Sequence, residues 1–198
     1  METDDVVRKI KNKREIIFKM LNDDKKSLTD YQFIMNEFKK GKISTNKNFQ
    51  EVYKSFYVMD AAGLTQAFFD KYFQLLESRE EDVEKILQTL SKIQRRNGCH
   101  TVQLSFASKL IHTVNPYMPI YDKNVANVLR IEVKSNVDIS ERIKDRVRAY
   151  ELLKKKTAKL LENGEIQEII SDFKKRLNVE ISYVKMLDFI LWKLGSLI

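Results

Sequence analysis

Cysteine and histidine are scarce in this sequence, and their scarcity limits the metal and redox chemistry open to it. The 198 residues include a single cysteine, Cys99, and two histidines. One thiol cannot form an internal disulfide, and a cysteine-based zinc site needs two to four thiolates. We therefore expect no disulfide, no metal site and no cofactor.

Long apolar runs are missing as well. No window approaches the roughly 18 unbroken apolar residues of a membrane-spanning helix. The acidic start METDD differs from the basic beginning of a secretory signal. Hydrophobic residues make up 43% of the chain and charged residues 32%, which is the balance of a folded soluble protein. We expect a cytoplasmic protein without a membrane partner.

Strand patterns are absent too, and helical periodicity takes their place. Apolar residues recur at three- and four-residue steps, and no alternating strand pair with turn residues is found. The sequence predicts a single all-α domain over residues 1–198, with about ten helices and an exposed connector that could act as a hinge near 134–140. The expected helices are a first one carrying the apolar residues Val6 to Leu21, a second capped by Thr29 or Asp30 and ended by Gly41, and others at about 46–59, 65–76, 80–96, 103–113, 122–130, 140–162, 165–177 and 181–197. The aromatic residues between Phe49 and Phe73 fall at helical spacing, so they are expected in the core.

Positive charge exceeds negative charge. Lys and Arg number 36 against 28 Asp and Glu, giving a net charge of +8. This balance favours a polyanion such as DNA as partner, although lysine-rich composition alone can produce it. The densest basic run is 142–159, where the basic side chains expected on the outer face of a helix are Arg142, Arg146, Arg148, Lys155 and Lys159. They form either a stripe that contacts phosphates or an ordinary solvated face.

Both prolines lie in one stretch, LSFASKLIHTVNPYMPIYDKNVANVLR, which begins at Leu104 and ends at Arg130. An apolar stripe with small neighbours predicts a central helix at its start, and the prolines must end that helix. Asp122 then precedes apolar residues at helical spacing. It is therefore expected at a helix N-terminus, where a carboxylate accepts backbone N–H groups.

This stretch resembles the C-terminal catalytic segment of the helix-hairpin-helix DNA glycosylase superfamily, in which a Pro-containing loop delivers an aspartate to a helix start. The resemblance implies a glycosylase-like helical fold, DNA as partner, and a catalytic role for Asp122 in stabilising the positive sugar formed when a flipped base is released. The glycine-rich hairpin of the family is not matched, since NGCHTVQLS supplies only Gly98. The lysine of strand-cleaving members is replaced by Leu104 or Ser105, and Lys109 is out of register. The resemblance therefore implies a monofunctional glycosylase or a DNA-binding protein that has lost the chemistry.

A second class of function stays open. Arg95 and His100 fit the loose Arg-x4-6-His pattern of HEPN ribonucleases, in which arginine steadies phosphate charge and histidine assists transfer of the 2′-hydroxyl. A toxin-type module or a helical protein-interaction domain is a further alternative. The other histidine, His112, is expected to be a satisfied polar group on a packed helix.

Overall fold

The computed structural model describes residues 3–60, 63–135 and 138–198, and over these ranges the chain forms ten α-helices and no strand. The helices are α1 (Thr3–Asp23), α2 (Lys25–Lys40), α3 (Lys47–Phe56), α4 (Gln66–Glu77), α5 (Val83–Ser91), α6 (Leu104–Val114), α7 (Lys123–Leu129), α8 (Ile139–Leu161), α9 (Gly164–Leu177) and α10 (Tyr183–Gly195). The all-α prediction is confirmed. None of the helices described here is both long enough and apolar enough to cross a bilayer.

Two predicted helix boundaries are wrong by more than about one turn. The second helix begins at Lys25, so Thr29 and Asp30 lie inside it and cap nothing. Its start moves back because Leu28 is buried and extends the apolar face by one turn. The fifth helix ends at Ser91 and does not continue to residue 96. The backbone N–H of Arg96 donates instead to the carbonyl of Gly63, which draws this segment toward the preceding loop.

Aromatic side chains from α3 and α4 form the centre of the core, as predicted. Phe49 and Tyr53 on α3 and Tyr72 and Phe73 on α4 are all fully buried. The Tyr53 and Tyr72 hydroxyls lie 2.9 Å apart, and Tyr72 donates to the Phe106 carbonyl of α6 at 3.0 Å. These bonds satisfy the polar ends of rings that are otherwise in an apolar environment.

Helix α6 runs through the middle of the fold. Its residues from Leu104 to Thr113 are buried, with Ser105 alone half-exposed. His112 is completely buried, as expected of a satisfied polar group, and its Nδ1 lies 2.6 Å from the carbonyl of Met118. A carbonyl only accepts, so Nδ1 carries the proton and Nε2 accepts from the Tyr31 hydroxyl of α2 at 3.0 Å. Burial lowers the pKa of His112 to about 3, so the ring is neutral.

The short helix α7 packs closely against α10. A Cβ atom added at Gly195 would lie 2.5 Å from the carbonyl oxygen of Asn124, so only glycine permits this approach. Residues 136 and 137 of the predicted hinge lie outside the described residues. Next to them, the Lys134 N–H donates to Asp145 of α8 at 2.7 Å.

A candidate ligand cavity beside Asp122

The proline loop that precedes Asp122 is fixed to α6 at two points. His112 donates to the carbonyl of Met118, as described above. One turn earlier, the Ser108 hydroxyl accepts the N–H of Tyr121 at 2.9 Å and donates to the carbonyl of Ser105. The small side chains of α6 therefore let the loop lie directly on the helix.

Two other helices hold the same loop. The Tyr150 hydroxyl of α8 donates to the carbonyl of Pro119 at 3.2 Å. Ser182, the N-cap of α10, donates to the carbonyl of Pro116 at 2.7 Å. Because α6, α8 and α10 all bind the loop, the position of Asp122 depends on the packing of three helices.

Asp122 caps α7, as its sequence context predicts. Its backbone is extended, with φ −130° and ψ 155°, and its side chain accepts the N–H of Asn124 at 2.8 Å. The carboxylate also lines a cavity on the side of the loop that faces α6 and α10. Capping therefore uses only part of the hydrogen-bonding capacity of this carboxylate, in a residue that also lines the cavity.

The cavity has a volume of about 330 Å³ and lies between α3, α6 and α10. Volumes of roughly 300 Å³ and above are typical of small-molecule sites, in which apolar walls surround a few polar groups. The apolar lining residues are Phe56, Tyr57, Val58, Phe106, Ile120, Phe189 and Trp192, and the polar ones are Ser27, Gln103, Ser105, Lys109, Asp122, Lys185 and Asp188. The lining thus combines apolar walls with several polar groups.

Lys109 is the unusual group in this cavity. It is only 8% exposed, and its Nζ donates to the carbonyl of Tyr57 at 3.1 Å. The ammonium also lies 5.2 Å from the ring centre of Phe106. Burial lowers the pKa of Lys109 to about 8, and the charges of Asp122 and Asp188 offset only part of that effect. The site therefore holds a cation that loses its proton far more easily than an exposed lysine does.

Lys185 and Asp188 of α10 form a buried ion pair with an Nζ to Oδ2 distance of 2.8 Å. The Lys185 ammonium also lies among aromatic rings, 4.3 Å from the ring centre of Phe189 and 4.9 Å from that of Tyr31. Burial raises the pKa of Asp188, while Lys185 acts in the opposite direction. Lys185 therefore has a partner carboxylate at hydrogen-bond distance.

Val58 lies at the cavity in a strained conformation. Its φ is +51°, and its side chain is 70% exposed. The N–H of Val58 bonds to Ser55 and that of Met59 bonds to Lys54, which is the Schellman arrangement that ends a helix. Glycine is usual at this left-handed position because a β-branched side chain is strained there. An exposed apolar residue is thus held in an unfavourable backbone conformation beside the cavity.

The basic residues predicted on α8 divide into two groups. Arg148, Lys155 and Lys159 are exposed, as predicted, and Arg142 is half-buried. Arg146 does not point freely outward: its side chain is 12% exposed and pairs with Asp145 at 3.0 Å. It also donates to the carbonyl of Lys134. The prediction of an exposed Arg146 is wrong, because the turn before α8 folds back and uses its guanidinium.

Arg95 and His100 lie in the segment between α5 and α6, and neither is in a helix. The His100 Nδ1 bonds to the carbonyl of Ser91 at 2.9 Å, and the ring lines an open cavity of about 620 Å³ between α5 and α8. The Arg95 guanidinium lies beside Gly63, where an added Cβ would be 3.3 Å away. The two side chains therefore contact different features.

Sequence reasoning missed Lys109, Lys185 and Asp188 as cavity residues. A signal was present for each: Lys109 interrupts the apolar stripe of α6, and the other two are the charged residues within YVKMLDFILW of α10.

No group of three or more His, Cys, Asp or Glu side chains that could hold a metal ion occurs among the residues the structure describes. Comparison with known proteins found no matching family model, no similar curated protein and no similar solved structure.

Proposed function

We propose that this chain binds DNA and receives one unstacked base in the cavity beside Asp122, in the manner of a helix-hairpin-helix glycosylase. It acts either as a monofunctional DNA glycosylase or as a binding protein without the chemistry. The observation that carries the proposal is the position of Asp122, which caps α7 and at the same time lines a cavity of about 330 Å³. The residue that matches the family motif, Asp122, is therefore also a residue that lines the cavity.

The walls of the cavity support a base as the ligand. Aromatic and aliphatic side chains offer stacking surfaces, while Lys109 and Asp122 supply a donor and an acceptor for the edge of a ring. Proteins that extrude a base read it by this combination of stacking and edge hydrogen bonds. The net charge of +8 favours the approach of a polyanion.

Val58 supports the same proposal in a second way. Proteins that distort a duplex often insert an apolar side chain between base steps. Val58 is apolar and exposed, and its strained turn holds it at the cavity. In the proposed complex it fills the gap that the extruded base leaves in the stack.

In the enzymatic form of the proposal, Asp122 stabilises the positive sugar that develops as the N-glycosidic bond breaks. The Asn124 N–H at the start of α7 holds the carboxylate in place. No lysine occupies the helix start used by strand-cleaving family members, so a strand-cleavage step is not part of the proposal. The ribonuclease alternative gains no support from the separate surroundings of Arg95 and His100.

The test compares Asp122→Asn with Asp122→Ala on duplexes that each contain one damaged base. Asparagine caps a helix about as well as aspartate, so Asp122→Asn should keep stability within about 0.5 kcal/mol, whereas Asp122→Ala should lose about 1 kcal/mol. If the wild type releases a base, Asp122→Asn should reduce the rate by at least about 100-fold. Release that persists in Asp122→Asn would contradict the catalytic role. Failure to prefer damaged over intact duplex would contradict the whole proposal.

The contribution of α8 to DNA binding is tested by salt dependence. Replacing Arg148, Lys155 and Lys159 by alanine should flatten the logarithmic salt slope of duplex affinity by about 0.9 for each phosphate that is no longer neutralised. The control removes the same charge from exposed lysines on other helices, Lys39 and Lys175 together with Lys47. Equal slopes in both triple variants would show that α8 provides only a solvated face.

A further inference from the structure

Lys109 places a buried cation at the cavity. Among the residues that the structure describes, no carboxylate oxygen lies within 4.0 Å of its ammonium. Its one hydrogen bond within that part of the chain goes to the carbonyl of Tyr57, which leaves two of its three N–H donors for other acceptors. Buried donors are normally satisfied, and a donor that faces a cavity is satisfied by what enters the cavity.

Asp122 complements Lys109. Its carboxylate accepts one N–H from Asn124, and a carboxylate has about four acceptor positions in total. Both groups line the same cavity, and they do not pair with each other. A ligand edge that presents an acceptor beside a donor would satisfy both of them at once.

We infer that Lys109 makes this cavity selective for an uncharged base with a carbonyl oxygen next to a ring N–H, as in hypoxanthine, guanine or uracil, and that it excludes positively charged, alkylated bases. The inference rests on the proposed function, because it names the class of base that enters the same site. The carbonyl accepts from the Lys109 ammonium, and the ring N–H donates to Asp122. This edge satisfies both groups without changing the net charge of the cavity.

Other base classes fit less well. Adenine presents an amino group where the carbonyl should be, so a donor would face the Lys109 ammonium. Its neighbouring ring nitrogen carries no proton, so an acceptor would face the Asp122 carboxylate. A cationic alkylated base such as N1-methyladenine has a methyl group in place of the ring N–H, so it cannot donate to Asp122, and its amino group opposes the Lys109 ammonium. Asp188 does not compensate, because Lys185 already pairs with it at 2.8 Å.

The experiment measures equilibrium binding to three labelled duplexes by fluorescence anisotropy. They differ in one nucleotide, hypoxanthine, adenine or N1-methyladenine, placed opposite an abasic analogue so that each base leaves the stack at a similarly low cost. A 2′-fluoro-arabino sugar at that nucleotide prevents base release during the measurement. A fully paired duplex is the reference. The proteins are the wild type, Lys109→Met, and Lys193→Met as a control that removes a buried lysine outside the cavity.

The wild type and Lys193→Met should bind hypoxanthine on the order of 10-fold more tightly than adenine, with N1-methyladenine bound most weakly. Lys109→Met should reduce the preference for hypoxanthine over adenine by at least about 3-fold and keep only the part that Asp122 provides. A preference undiminished in Lys109→Met, or reduced equally in Lys193→Met, would overturn the inference. If the wild type binds all three equally, but more tightly than the paired reference, the inference fails and the proposed function stands. If none is bound more tightly than the reference, the proposed function fails and the inference with it.

Discussion

Lys109→Met should stabilise the protein near neutral pH and lose that advantage in alkali. The folded state lowers the pKa of Lys109 from 10.5 to about 8. Because the folded pKa is the lower one, the charged form disfavours folding. The penalty is complete below pH 8 and disappears as the pH rises to 10.5. At 1.36 kcal/mol per pKa unit, it amounts to about 3 kcal/mol.

Methionine has a similar length, fits between the rings and carries no charge, but it does not bond to the Tyr57 carbonyl. The loss of that bond costs about 1 kcal/mol. The net expectation for Lys109→Met is a gain of about 2 kcal/mol in the free energy of unfolding at pH 7, changing to a loss of about 1 kcal/mol above pH 10.5. Other groups that titrate in this range affect both proteins alike, so the difference between them isolates Lys109.

Urea unfolding followed by circular dichroism at pH 7, 8.5 and 10 measures this difference. Lys185→Met is the matched control, since it removes a buried lysine from the same cavity but strands its partner Asp188. That variant should lose about 3 kcal/mol or more, because the remaining carboxylate is buried without a counter-charge. A difference between wild type and Lys109→Met that stays constant from pH 7 to pH 10 would refute the proposed environment of Lys109.

Three further predictions concern the framework of the cavity. Val58→Gly should raise the free energy of unfolding by about 1 kcal/mol, because glycine adopts positive φ without strain. The same variant should bind duplex DNA more weakly, and an unchanged affinity would contradict the proposed contact between Val58 and DNA. Gly195→Ala should lower stability by about 1 to 3 kcal/mol, because its methyl group would collide with Asn124, and a thermal melt unchanged from wild type would contradict that close approach. His112 has a folded pKa of about 3, below its unfolded value of 6.5, so its contribution to stability falls as the pH drops below 6.5, by about 2 kcal/mol at pH 5. In His112→Gln this part of the acid dependence should be missing, which urea titrations at pH 7 and 5 would reveal.

The fold could be predicted from the sequence because its helices carry continuous apolar periodicity and strong local end signals. Thr65 caps α4 through the N–H of Phe68, as its context indicates. The errors occur where tertiary contacts override local patterns. The second helix begins earlier than predicted, at Lys25, and thereby buries Leu28. The fifth helix ends earlier than predicted, at Ser91, because the backbone N–H of Arg96 bonds to the carbonyl of Gly63. Such contacts between distant segments cannot be inferred from a single sequence.

The candidate site could be predicted only in part, for a related reason. Asp122 could be placed because a helix N-cap is a local feature. The register of Lys109 indicates no role, because this residue lies about one turn after the helix position at which strand-cleaving helix-hairpin-helix glycosylases have a lysine. Lys109 nevertheless lines the same cavity as Asp122, because side chains from α3 and α10 border this cavity together with those of α6. The position of a residue along its own helix therefore does not show which residues of other helices lie next to it.

The placement of Trp192 has a practical consequence. It is the only tryptophan in the chain, it lines the cavity, and it is 38% exposed. Indole emission responds to the polarity of its surroundings and is quenched by stacked bases. Selective excitation of this one ring would therefore report, without any attached label, whether the cavity is filled with solvent or with a ligand. The eight tyrosines do not obscure such a signal, because they absorb at shorter wavelengths. The protein thus contains its own optical probe, which would allow libraries of nucleosides or short oligonucleotides to be screened directly.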